Sequence, residues 1–557
     1  MERTYENGKS RNKIVEALGR EDHLQEEHED PESWARSYIE DLNAQTDVKP
    51  RPITASWDPA AKIPFGEAAL FNGGYLFLQR IYNDLSLPRA CRTIQQETKT
   101  KYDLNGILSS LVYCRVIEPG SKRSTVMSHA PDLLEQRQLD LHTVYRALSL
   151  VTNKMDWLQA FLYRQSKKLV RRADHILYYD VSNFYWEIEE EDDFRKYGHS
   201  KEHRPNPIVQ MGLFMDGSGL PLAFSLWPGN TNEQVTLKPL EEKIIRDFEH
   251  SRFITCTDAG LSSKSNRLFN DKERRAFVTT QPLKKLKQDL HDWIFGSGGW
   301  KRYGDTSGRE WDLGAAKAAD RDAVFYKERW IKDGNLEQRL LVTFSRKYME
   351  YQRSVRAGQL EGAQHLLDKG ATKLKTKGAQ DCRRFISSVA VTNDGEIAEN
   401  QLYVLDQDKI EKEAAYDGFY GVCTNLEDDI HTIVEINKRR WEIEEAFRIM
   451  KHELAARPVY LSRQDRISAH FLTCFIALLI LRILERRLTD SGFRDFTLPE
   501  IIAELRKVRY NKTKDLFFPA FTRTSLTEAL EHTFCLPIQQ EVYGRKQMRS
   551  LIADSRR

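Results

Sequence analysis

Apolar positions recur at helical spacing from about residue 65 to 170. Leu76 to Ile81, Ile107 to Val116 and Val144 to Leu150 each read as the apolar face of a helix, and no clear strand alternation interrupts them. At residue 174 the pattern changes to strands. His175 to Val181 is a short apolar run that carries an aspartate near its end. Ile208 to Met215 and Leu220 to Trp227 are two strands joined by Asp216-Gly217-Ser218-Gly219, a hairpin by its turn chemistry. Asn230 to Phe248 reads as a loop entering a helix, with Leu237, Leu240, Ile244 and Ile245 at helical spacing. Phe253 to Thr257 is a strand that again ends at an aspartate. Ser262 to Asn270 is a short helix, and Ala276 to Thr280 a further strand. Strand, hairpin, helix, strand, helix, strand predicts an α/β fold, a mixed sheet flanked by helices.

Residues 283 to 410 interrupt this pattern. They hold strand candidates at Ala323 to Trp330, Leu340 to Phe344 and Leu402 to Leu405, with a charged helix near Tyr348 to Lys369. This reads as a β-rich insertion with its own small sheet. Helices resume near Asp428 and are expected almost to the end. The longest apolar run, Phe471 to Leu481, is broken only by Thr473 and closed by Arg482. A membrane span needs roughly 20 such residues, so a buried helix and no membrane are expected. The N-terminal 60 residues are peripheral: Asn7-Gly8 signals a type I′ hairpin, followed by an acidic stretch (residues 21–33) and a Pro-containing linker (residues 47–59). The expected organisation is therefore 1–60 as hairpin and linker, 61–172 as a helical DNA-binding candidate, 173–282 with 411–490 as a catalytic core, 283–410 as the insertion, and 491–557 as a helical C-terminal part.

Composition adds little to this picture. The chain has 557 residues, 40% hydrophobic and 30% charged, enough for several ordinary domains. With 85 basic and 82 acidic residues the net charge is only +3, so a nucleic-acid surface would have to come from local sorting of charge. The seven cysteines stand apart, without zinc-site spacing or a disulfide framework, and the polar N-terminus has no signal-peptide pattern; a cytoplasmic setting fits.

The candidate chemistry lies in three carboxylates. Asp180 and Asp258 each follow an apolar strand, which would deliver both to the edge of a sheet where ligands collect. Oxygen-only ligands suit Mg²⁺ or Mn²⁺ rather than zinc. Either aspartate taken alone is equally a cap for the following loop or helix. The third group lies in residues 436–454, read as one helix without Gly or Pro, with Arg440, Glu444, Arg448 and Lys451 assigned to one face. A surface salt-bridge ladder would give the same pattern. Ile443, Ala446, Phe447 and Met450 indicate that this helix is packed, and Glu442 and Glu445 are rivals of Glu444 on these grounds.

Taken together, these motifs resemble those of bacterial insertion-sequence DDE transposases, in the branch whose ribonuclease-H-like core is interrupted by a β-rich insertion. That family's third-acid motif is Tyr, two residues, Arg, three residues, Glu, six residues, Lys. Arg440, Glu444 and Lys451 match it, while Asn437 stands at the tyrosine position. The resemblance selects Glu444. Tyr-Tyr-Asp180-Val-Ser and Thr-Asp258-Ala-Gly are similar to the two aspartate motifs. So are the stretches Tyr197 to Pro205, Pro228 to Glu233, and Asp417-Gly-Phe. The interval from Asp258 to Glu444 is far longer than one strand–helix unit, as an inserted domain requires.

The resemblance implies a bacterial or archaeal, nucleoid-associated transposase acting in DNA transposition and recombination. Its catalytic and metal residues would be Asp180, Asp258 and Glu444, holding two Mg²⁺ ions roughly 4 Å apart, with Mn²⁺ as a substitute. Water, then a DNA 3′-hydroxyl, would attack a phosphodiester without a covalent protein–DNA intermediate. The expected partners are double-stranded DNA (terminal inverted repeats and target) and a second copy of the chain in a synaptic homodimer. Arg440, Arg448, Lys451, Lys201, His203 and Arg204 are candidate phosphate contacts, and Trp441 a candidate for base stacking, although a packed core position fits Trp441 better. The acidic run Glu187 to Asp193 reads as a solvated edge. Three alternatives stand: a host nuclease with the same core, a domesticated or inactive DNA-binding derivative, and a Mg²⁺-dependent phosphatase. The helical flanks and the cations around Glu444 favour a long polyanion over a small substrate.

Overall fold

The computed structural model describes residues 65–557 except 273, 319, 371–380 and 391–400. Before residue 65 it describes only 2–6, 9–13, 24, 30, 34–35, 38, 56–58, 60 and 62. Two compact units result, Met1–Glu67 and Ala68–Arg557. In the first, β1 (Glu2–Glu6) pairs antiparallel with β2 (Lys9–Lys13), and the register Glu6↔Lys9 leaves two residues between them. Asn7-Gly8 and most of the acidic stretch and linker lie outside the described residues.

The second unit opens with a short strand, β3 (Leu70–Asn72), and then the helices Tyr75–Asp84, Leu87–Thr98, Leu104–Ile117, Leu141–Thr152 and Met155–Leu169. Asp103 and Asp140 cap two of them, each accepting from a backbone N–H of the first turn. Next come β4 (Ile176–Tyr185), β5 (Ile208–Asp216), β6 (Pro221–Pro228), β7 (Ile254–Thr257) and β8 (Ala276–Thr280). β4, β5 and β6 form an antiparallel meander, and β7 and β8 add parallel to β4. The order β6-β5-β4-β7-β8 is the mixed sheet of a ribonuclease-H-like core.

This sheet is buried on both faces. Leu177, Tyr179 and Val181 of β4 pack with Leu237, Leu240 and Ile244 of the Leu237–Asp247 helix. The alternate residues, Tyr178 and Phe184, face the C-terminal helices. A strand covered on two sides must be apolar at nearly every position, which accounts for the continuous run into Asp180. The buried pair Arg172–Asp216, at 2.5 Å, ties the hairpin turn after β5 to the entry of β4.

The insertion supplies β9 (Trp300–Arg302), β10 (Glu310–Trp311), β11 (Val324–Asp333) and β12 (Leu336–Ser345), then the Arg346–Asp368 helix, β13 (Ile386–Ala390) and β14 (Gln401–Leu405). Only β13 and β14 form a sheet of their own. β15 (Phe419–Thr424) pairs with β8 on one side and β12 on the other, so β9 to β12 extend the core into one ten-stranded sheet. The insertion's own small sheet is thus only β13–β14, whereas the strands expected at Ala323 to Trp330 and Leu340 to Phe344 join the core through this bridging strand, whose hydrogen bonds to β8 leave no free edge there.

Three further helices follow: Ile430–Lys438, Trp441–Lys451 and Gln464–Asp490. The last is long and apolar enough to cross a membrane, and its apolar stretch is wholly enclosed by the other helices and by the core sheet, where Phe184 and Phe224 pack on Phe471 and Phe475. A helix apolar all round is a core helix when other elements surround it. The C-terminal part holds three helices, but also β16 (Arg509–Thr513), β17 (Leu516–Pro519) and β18 (Tyr543–Gly544), which join β3 in a four-stranded sheet. These strands and β3 are too short to show alternation, and the helical expectation missed them.

Candidate active site

Asp180 does not end its strand. β4 runs five residues further, paired only with β5, so the expected strand-end position is corrected to mid-strand. What does end is the pairing with β7, whose last partners are Tyr178 and Cys256. Two residues on from that pair stand Asp180 and Asp258. In parallel neighbours with period-two side chains, this register puts both carboxylates side by side on one face. It is the face of Tyr178, whose hydroxyl donates to Ile436 O (2.9 Å) under the C-terminal helices.

Asp258 is also the cap of the short turn Ala259–Leu261, accepting from Leu261 N at 3.1 Å. The capping bond uses one carboxylate oxygen, so a capping Asp258 keeps the other oxygen for a ligand. Asp180 is 16% exposed and accepts from Val181 N at 2.8 Å. Burial pushes its carboxyl up to about 6. Lys201 opposes that rise, and the neighbouring charge of Asp258 adds to it.

Two loops close around Asp180. A Cβ on Gly198 would run into the carbonyl of Gly229, so the loops carrying Tyr197 to Pro205 and Pro228 to Glu233 can cross only with glycine there. Their crossing delivers Lys201, which donates to Val181 O (2.6 Å) and Glu233 (3.2 Å) and lies 4.0 Å from Asp180. Burial alone would lower the Lys201 ammonium, but Asp180 and Glu233 hold it above its ordinary range. Lys201 thus points inward at the acids rather than outward. Arg204 stacks 4.2 Å from the Tyr185 ring, and His203 is exposed at a left-handed turn (φ 55°).

The acidic run before this loop is partly structural rather than simply solvated. Glu191 accepts from Tyr197 N and pairs with Lys196, while Asp192 accepts from Phe194 N and Arg195 N. These bonds hold the loop that carries Lys201.

The stretch 436–454 is two helices, not one. Arg440 N, Glu442 N and Ile443 N each reach back three residues, to Asn437 O, Arg439 O and Arg440 O, a tightened turn that separates Ile430–Lys438 from Trp441–Lys451. Arg440 is the residue before the second helix. It pairs with Glu444 at 3.3 Å, and its guanidinium feels the charges of Glu444 and Asp258. Lys451, at the other end, donates to Glu202 (3.1 Å) and lies over the Phe184 ring. Burial, with Lys201 nearby, brings its ammonium down to about 8 against the pull of Asp180. The helix therefore passes over Asp180, which feels the charges of Arg440 at one end and Lys451 at the other, and Arg440 also feels Asp258.

The other charged and aromatic positions of this helix divide by exposure and pairing. Arg448 stands about 40° from Glu444 and about 80° from Arg440 at 100° per residue, on the edge of the same face, where it is exposed and pairs with Glu445 (3.5 Å). Trp441 is 58% exposed, which overturns the packed core reading. Of the rival acids, Glu442 pairs with Arg439 (2.8 Å) and Glu445 with Arg482 (2.8 Å), both turned from the aspartates. Glu444 is 57% exposed. Glu202, Glu233 and Arg457 join the site although no role was assigned to them from sequence; the first two lie in motifs already singled out, and Arg457 pairs with Glu202.

A model of the transposase DDE domain family matches residues 176–480, more than half of the chain and the span that carries all three acids. The chain belongs to the transposase DDE domain family. Comparison with curated proteins gives no match. Among solved structures, a cryo-EM structure of a piggyBac transposase synaptic complex with hairpin DNA is similar at 10% identity and a TM-score of 0.38, covering 87% of this chain and 85% of that one.

The donor chemistry of the aspartate pair fits a hard divalent cation. Asp180 is desolvated, and the neighbouring charge of Asp258 adds to the rise in its proton affinity, a tension that a cation would relieve. The third acid is not gathered with them: among the described residues no three His, Cys, Asp or Glu side chains are grouped to hold a metal. Glu444 sits within reach of Arg440 instead.

Proposed function

We propose that this member of the DDE transposase family cuts and joins the ends of an insertion sequence, with Asp180, Asp258 and Glu444 as its catalytic carboxylates. The observation that carries this reading is the register of β4 against β7, which sets Asp180 and Asp258 side by side beneath the Trp441–Lys451 helix. Bound Mg²⁺, two ions with Mn²⁺ as a substitute, would supply Lewis-acid stabilisation of the phosphodiester and a nucleophile at neutral pH. The chain's own residues do the rest. Asp180 and Asp258 offer oxygen ligands from a sheet too rigid to withdraw them. Lys201 holds β4 in place through Val181 O. Glu444 joins by releasing Arg440, and Arg440, once free, faces a DNA phosphate. The helical part, residues 61–172, is proposed to bind the ends, and two copies of the chain to pair them.

A second reading, a DNA-binding derivative that does not cut, draws support from the Arg440–Glu444 pair. One experiment separates the two. Labelled duplexes carrying the element's ends are incubated with Mg²⁺ or Mn²⁺. A nick that leaves a 3′-hydroxyl at the element boundary supports the transposase. Binding without any nick in either metal supports the derivative.

A further inference from the structure

A second basic centre lies away from the aspartates, and it contains no acid. A cavity of about 620 Å³ opens between the end of the Leu104–Ile117 helix, the Gly120–Arg123 turn, the 455–461 loop and the Gln464–Asp490 helix. Arg115 and Lys122 line it, and each is only 4% exposed. Arg115 donates to the carbonyls of Gly120 (2.9 Å), Leu454 and Ala455 (3.4 Å each), and its Nε has no hydrogen-bond partner. Lys122 Nζ meets His470 Nδ1 at 3.3 Å. His470 Nε2 lies 3.1 Å from Ala456 O and must donate to it, so Nδ1 is the acceptor and the ring is neutral. That spends one of the three ammonium donors of Lys122. Among the described residues neither cation has a carboxylate within ion-pair distance.

Two buried cations without a counter-charge destabilise a fold unless a ligand satisfies them. Burial, with Arg115 beside it, brings the Lys122 ammonium down to about 7, and burial holds His470 well below its ordinary range. An anion with several acceptor oxygens would reverse both penalties. The rim suits a larger molecule: Tyr145 and the exposed Tyr460 offer rings, and Arg123 stands exposed at the mouth. Arg457, also in the lining, pairs with Glu202, which also holds Lys451 beside Asp180. The cavity is thereby tied to the acid site.

We propose that this cavity is a phosphate-binding pocket, with Lys122 and Arg115 as its floor. Resting on the transposase reading, the phosphate would belong to the DNA backbone; a free phosphate or nucleotide would use the same chemistry.

The test uses the full chain, wild type against Lys122→Met, with two binding readouts. The first is the rise in melting temperature on adding inorganic phosphate. The second is the slope of log K against log salt for a duplex carrying the element's ends. Lys122→Met removes a buried charge, so on this account it folds with an unchanged or higher melting temperature. It is expected to lose the phosphate-induced rise, bind DNA about tenfold more weakly, and show a slope shallower by about one. Loss of the phosphate rise with an unchanged DNA slope keeps the pocket and assigns it to a free phosphate. No phosphate response in wild type, together with an equal slope in both proteins, overturns the proposal. If Lys122→Met does not fold, Arg123→Glu at the mouth gives the same readouts without touching the core. Both readouts measure binding and not cutting. Asp180→Asn, which should not cut, is expected to keep both, so failure of the transposase reading and failure of this one look different.

Discussion

The strand acids and the helix acid are assigned one task yet sit in opposite settings. Asp180 stands mid-strand and Asp258 directly after β7, both set by the parallel register of a sheet buried on both faces. Glu444 is more than half exposed, on a helix that begins at a tightened turn, and is held by its own neighbour Arg440. The difference teaches where assembly is complete and where it waits. On the proposed reading the sheet pre-forms two thirds of the site, and the last third depends on exchanging one ion pair for another. An exposed i,i+4 pair is worth only about 0.3–0.5 kcal/mol, so that exchange is easy to drive.

The largest effect should come from breaking the sheet side. Asp180→Ala and Asp258→Ala are each expected to abolish end cleavage, by about 10³-fold or more, with DNA binding kept; gel assays of cutting and binding on the same samples check this. Next comes the scaffold beneath it. Arg172→Met leaves Asp216 buried without its partner and is expected to destabilise the protein by about 3–5 kcal/mol in denaturant melts. On the helix side, Arg440→Gln frees Glu444 but removes the proposed phosphate contact. A drop of about tenfold in cutting, with a shallower salt dependence of binding, is the expected outcome. Glu445→Gln weakens the contact to Arg482 and should lower stability by about 1 kcal/mol while cutting stays within a few-fold of wild type.

The smallest effect separates scaffold from site by pH. Glu241 is buried behind the sheet, with Oε1 accepting from Thr255 and Asn270 and Oε2 unpartnered. Burial pushes its carboxyl up to about 7, against the hydrogen bonds to Thr255 and Asn270. A folded-state value above the unfolded one means that ionisation opposes folding, so its penalty grows as pH rises from about 4.5 to 7. Glu241→Gln should raise the melting temperature by a few degrees at pH 8 and leave it unchanged at pH 4.5.

Much of the core was legible because a strand buried on both faces has to be apolar throughout, and both aspartates interrupt such runs. The hairpin 208–228 was legible from its Asp-Gly-Ser-Gly turn. The insertion's union with the core was not, because β15 is six residues long and its two partners lie far away in sequence. Trp441 was misjudged because residue type alone does not tell which side of a helix its neighbours cover. Glu202 and Glu233 lay inside motifs, but only the crossing at Gly198 and Gly229 shows that they meet Lys451 and Lys201.

The most direct test of the triad is a Mn²⁺ titration in the presence of end DNA, followed by the electron paramagnetic resonance signal of the free ion. The proteins compared are wild type, Asp180→Ala, Glu444→Ala and Glu445→Ala. The account predicts that the first two variants lose Mn²⁺ binding while Glu445→Ala keeps it. Wild-type binding in Glu444→Ala, with loss in Glu445→Ala, would contradict it.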